Sequence, residues 1–171
     1  MGVLSLGWVG FYAYFIDGLA FATESLAGIF RGQGKAEHLK LLLWLSGGAS
    51  LLSGLVFALI FVFLPGLFSL LTTLPEVSDR IGNYTPWLLP VLGFGSIAYM
   101  LDGYFLGLTE GKILRQSAII AALVGFAPVA LAAWIVGSIQ LLWLALSLFM
   151  VVRAVTLGIR VPQTLDSQGL P

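Results

Sequence analysis

Charge in this chain is confined to short islands, and the length of the gaps between them limits the available folds more than any other feature. Gly2 to Phe30 contains only Asp17 and Glu24, and the stretch after Lys40 is uncharged as far as Leu74. Tyr84 to Thr109 holds only Asp102, nothing ionises between Arg115 and Gly137, and Leu141 to Ile159 holds only Arg153. Each gap matches or exceeds the ~20 residues that a helix needs to cross ~30 Å of hydrocarbon. The alternating pattern of a membrane barrel strand is absent. The expectation is an all-α membrane protein, a bundle of five transmembrane helices within residues 1–162, with spans near 4–30, 39–64, 84–109, 113–137 and 141–160. A short cytoplasmic tail, 163–171, follows.

Composition supports a lipid environment. Hydrophobic residues make up 59% of the chain and charged residues 9%, against roughly 25% charged in soluble domains. Mean hydropathy is +1.03. Net charge is zero, so no basic field exists to hold nucleic acid, and the absence of cysteine removes disulfides and thiolate chemistry. The gap after Lys40 is too long for one straight span. Pro65-Gly66 is expected to end its helix, with residues 67–74 lying in the interface.

Seven of the eight Lys and Arg residues fall on one side of this arrangement: Arg31, Lys35, Lys40, Lys112, Arg115, Arg153 and Arg160, against Arg80 alone. The positive-inside rule then places the C-terminus in the cytoplasm and Met1 outside. The opening Met-Gly-Val-Leu-Ser-Leu-Gly-Trp has neither a basic head nor the cleavage site of a signal peptide. Either Asp17 and the downstream cations suffice to orient the first span, or the chain begins inside a longer ancestral protein, one helix late.

Asp17 lies halfway along its run, where a carboxylate costs several kcal/mol unless it is protonated, paired or wetted. Glu24 and Arg31 follow at heptad spacing, which keeps all three on one helical stripe. That stripe must face other helices or water. A group that is neutral in one conformation and charged in another is what proton coupling requires, while a bound sodium ion is the competing use of the same carboxylate. Asp102-Gly103 repeats Asp17-Gly18, each pair being followed by Thr-Glu before a basic loop. Gly18 and Gly103 would permit close helix approach or a local break. Arg153 is expected to snorkel to the headgroups, with pairing to Glu24, Asp102 or Glu110 as the alternative, and Glu24 could bridge to Arg31. Pro90 and Pro128 should kink their helices, whereas Pro86 sits near a helix start. Trp44, Trp87, Trp134 and Trp143 fall near span ends, as an interfacial belt requires. No phosphate-binding loop, metal-ligand pair or nucleophile with a nearby base can be read, so no enzyme is expected.

The run from Asp17-Gly18 through Thr23-Glu24 and Gly28 to Arg31-Gly32-Gln33-Gly34 resembles the second helix of the C-terminal half of multidrug and toxic compound extrusion (MATE) transporters, in their DinF-like branch. Pro75-Glu76-Val77, Tyr84-Thr-Pro-Trp87, Leu101-Asp102-Gly103, Leu142-Trp143, Phe149 and Arg153 follow in that branch's order, so that the resemblance covers about residues 5 to 162. It implies an inner-membrane antiporter exporting organic, often cationic, compounds against a proton or sodium gradient, with no other cofactor. Such transporters have two lobes of six helices, and this chain would correspond to the last five helices of the second lobe. Ile29 stands where the family usually carries a polar residue. Asp17, Asp102 and Glu24 would be ion-coupling or cavity carboxylates, supported by Arg153, Gly18 and Gly103. A separate N-terminal lobe or a second copy would complete the transporter. The rival expectation is a non-transporting structural or regulatory membrane subunit, or a truncated gene remnant.

Overall fold

A backbone in hydrocarbon must satisfy its N–H and C=O groups internally. The computed structural model does so with helices alone among the described residues, 2–63 and 85–166, with side chains described at 16–60, 62–63 and 86–165. Helix α1 (Gly2–Gly32) is followed by α2 (Ala36–Phe63), a single 3-10 turn (Thr85–Trp87) and α3 (Leu88–Gly107). A fourth long rod joins α4 (Gly111–Ile120), a π-helical turn (Ala121–Phe126) and α5 (Ala127–Val136). Helix α6 (Ile139–Gly158) and the short α7 (Val161–Asp166) complete the chain. Among the described residues, four stretches are long and apolar enough to cross a membrane: Ala36–Ile60, Leu88–Gly107, Gly111–Val136 and Ile139–Leu165. This is a multi-pass membrane protein. The expected break at Pro65-Gly66, the interfacial stretch 67–74 and the loop bearing Arg80 lie outside the described residues.

Helix α3 is the hub, packing on α1, α2 and α6. Its Tyr104 and Phe105 are fully buried with Leu39 of α2, Ala27 of α1 and Leu157 of α6. Lipid offers little hydrophobic drive for helix association, so close backbone approach must supply dispersion contacts instead. Gly103 and Gly107, one turn apart on α3, give that approach. A Cβ at Gly103 would stand 2.3 Å from the carbonyl oxygen of Ala20, and one at Gly107 would stand 2.2 Å from that of Glu24. Gly54 of α2 meets the α3 backbone at Leu92 in the same way.

The two expected kinks resolve differently. Pro128 lacks an N–H, and its ring crowds the preceding carbonyl; the helix absorbs both through the π-helical turn just before it. Pro90 bends nothing, because α3 begins at Leu88 and places it in the first turn, where N–H groups have no partner anyway. Residues 163–166 of the expected tail belong to α7. Helix α7 folds back so that Thr164 is buried, its Oγ1 3.0 Å from the Tyr104 hydroxyl.

Three helix ends close by the same device, in which a residue with positive φ lets two backbone N–H groups turn back onto the last carbonyls. Gly34 (φ 65°) and Gly137 (φ 68°) occupy two of these positions, but the third holds Thr109, at φ 57°. There Glu110 N–H donates to Phe105 at 2.9 Å and Thr109 N–H donates to Leu106 at 2.9 Å.

Candidate functional site

Among the described residues two ion pairs form across the bundle, Arg31 with Glu110 and Arg153 with Asp102, while the carboxylates of Asp17 and Glu24 have no described partner. Asp17, at the middle of α1, is exposed, and no described side chain donates to it. It opens onto a cavity of about 360 Å³ whose other walls are Val91, Leu92, Gly95 and Tyr99 of α3 and Met150 of α6. Tyr99 and Met150 also line a second cavity, of about 230 Å³, with Phe149, Asp102 and Arg153. The two hollows therefore adjoin, one aromatic ring and one thioether forming their shared wall. The face is apolar apart from the carboxylate, the phenol and the ion pair.

Asp102 and Arg153 reach one another because α3 and α6 run side by side, with both residues about a turn and a half from the same helix ends. Arg153 Nη2 donates to both carboxylate oxygens of Asp102, at 2.9 and 3.0 Å, and Nε adds a third bond at 3.2 Å. This overturns the expectation that Arg153 snorkels to the headgroups. A guanidinium fork that finds a carboxylate at its own depth keeps charge-assisted bonds without crossing to water.

Arg31 also departs from expectation. It bridges to Glu110 at 3.3 Å, and its Nη1 donates to the carbonyl oxygen of Leu108, at the turn where Thr109 has positive φ. Glu24 therefore does not pair with Arg31. It is half-buried with no described partner, and its backbone carbonyl lies against Gly107. The two Asp-Gly pairs serve differently: Gly103 is a close-packing point, while Gly18 faces open space with nothing within 4 Å of its would-be Cβ. Neither breaks its helix. Ser117 and Thr156, 2.6 Å apart, join α4 to α6 by a hydroxyl pair.

Tyr99 and Met150 were not singled out from sequence. Tyr99 precedes Asp102 by three residues, which places both on one face of α3, so a signal existed for it. Met150 lies three residues before Arg153 on α6, in the same relation. Apart from that spacing, nothing in the sequence distinguishes either from an ordinary core residue. Among the described residues no cluster of His, Cys, Asp and Glu can hold a metal ion.

A family model described as MatE matches residues 1–131. DNA damage-inducible protein F of Escherichia coli (strain K12) is 35% identical over 155 residues, which cover 86% of this chain and 32% of that protein. The chain thus spans about a third of the length of this relative. No solved structure matches.

Proposed function

Because the chain belongs to the MatE family of multidrug and toxic-compound efflux transporters, we propose that it forms one lobe of a cation-coupled antiporter for organic compounds. The carrying observation is Asp17, a carboxylate at mid-helix that opens onto a cavity and has no described donor. A group so placed is free to take a proton or a sodium ion, whereas a carboxylate capped by neighbouring donors is not. Asp102 has a different part in this reading. Its charge is already met by Arg153, so the pair fixes α3 against α6 and holds the far wall of the cavity. Glu24 sets the edge of the same stripe.

Alternating access requires two bodies that rock around a shared site, and one lobe supplies one wall. The reading therefore includes a partner, either a separate N-terminal lobe or a second copy, facing Asp17 across the cleft, with an organic cation held between. The seven-to-one distribution of cations supports a cytoplasmic C-terminus in the inner membrane.

The test is ethidium movement in vesicles carrying this chain alone, or together with the remaining length of the Escherichia coli relative, under an imposed proton or sodium gradient. Gradient-dependent movement in the two-part assembly is the expected result. No movement in either preparation, with both polypeptides inserted, contradicts the reading and leaves a membrane scaffold.

A further inference from the structure

A further hollow lies away from these carboxylates. It is a groove of about 510 Å³ between α2, α3 and the α6–α7 corner. One wall descends α2 from Lys40 through Trp44 and Gly48 to Leu51, and the other is made by Met100 of α3 and Leu165 of α7. Among the described residues that line it, Lys40 alone is charged. From Lys40 to Leu51 is eleven residues, about 16 Å of helix, roughly half of a ~30 Å hydrocarbon core. The groove therefore has the depth of one leaflet, a cation at its mouth and an indole one turn below. Trp44 is 77% exposed, as an interfacial aromatic is when it meets lipid rather than protein.

We propose that this groove is a binding site for an anionic phospholipid of the leaflet on the Lys40 side. The Lys40 ammonium meets the headgroup phosphate, Trp44 lies at the glycerol level, and an acyl chain runs along Gly48 and Leu51. Gly48 leaves the depression the chain fills, whereas the Met100 methyl already occupies the space beside Gly47, 3.3 Å from where its Cβ would stand. A Cβ at Gly48 would meet nothing within 4 Å, so the space beside it is open. Charge complementarity selects the headgroup, since a cation at the membrane surface favours anionic over zwitterionic lipid by about fivefold.

The experiment uses a variant of the full chain that keeps Trp44 and replaces the other four tryptophans by Phe, in vesicles containing brominated phosphatidylglycerol or brominated phosphatidylcholine. Bromine on the acyl chain quenches indole fluorescence on contact. Trp44 quenching is expected at several-fold lower mole fraction of phosphatidylglycerol than of phosphatidylcholine. Lys40→Gln should erase the difference, and Gly48→Leu, which fills open space, should reduce quenching by both lipids. A variant keeping only Trp134, 81% exposed and outside the groove, should show no preference. Native mass spectrometry of the unaltered chain offers an independent readout: retained phosphatidylglycerol should fall in Lys40→Gln. Equal quenching of Trp44 by the two lipids means bulk lipid only, and no quenching by either means that protein covers the groove; each overturns the proposal. So does a preference that survives Lys40→Gln.

Discussion

Asp102 and Arg153 bind one another through both carboxylate oxygens while their side chains are only 19% and 18% exposed. Two opposite charges on neighbouring helices thus satisfy one another within the bundle, whereas Asp17, the aspartate at the middle of α1, is exposed and has no described partner. The division of labour between two similar Asp-Gly pairs follows from what each helix faces.

Removing one partner of the pair strands the other charge in a poorly solvated place. Arg153→Leu or Asp102→Leu should each lower stability by about 2–4 kcal/mol, somewhat under the cost for a fully buried pair. The double replacement should recover at least about 1 kcal/mol of the summed loss. Thermal unfolding in detergent micelles reads this directly, and strict additivity would mean that the pair makes no net contribution.

The glycines of α1 and α3 should respond in opposite senses. Gly103→Ala and Gly107→Ala force a methyl to within 2.3 and 2.2 Å of backbone carbonyl oxygens on α1, which must move away. Each should cost about 1–3 kcal/mol. Gly18→Ala has open space before it and should leave stability unchanged or raise it by up to about 1 kcal/mol. Melting temperatures of the three variants, measured side by side, check the contrast.

Thr109 occupies, with φ 57°, the position that Gly34 and Gly137 fill at the other two turns. A β-branched residue is disfavoured there. Thr109→Gly should therefore stabilise the chain by about 1 kcal/mol, and Thr109→Val should not. Chemical denaturation of both variants distinguishes relief of backbone strain from loss of the hydroxyl.

The spans were legible because hydrocarbon imposes one demand, about twenty uncharged residues, and the charge islands mark its limits directly. The observed ends of α2 and of the α4–α5 rod lie within a few residues of expectation for that reason. The pairing of Asp102 with Arg153 was less legible. The two residues are 51 positions apart, and nothing local to either helix says that α6 lies beside α3 with these residues level. The Gly103-x-x-x-Gly107 spacing is a readable sign of close helix packing, whereas the likeness of Asp102-Gly103 to Asp17-Gly18 is not, since Gly18 has nothing within 4 Å of its would-be Cβ. Pro90 was misplaced because hydropathy locates the middle of a span better than its first turn.

With the two-part assembly in vesicles, ethidium accumulation under an imposed gradient should be abolished by Asp17→Asn, while the melting temperature and the downhill equilibration of ethidium stay unchanged. An Asp17→Asn assembly that still accumulates ethidium against its gradient as the unaltered one does would contradict the assignment of this carboxylate as the ion-binding group.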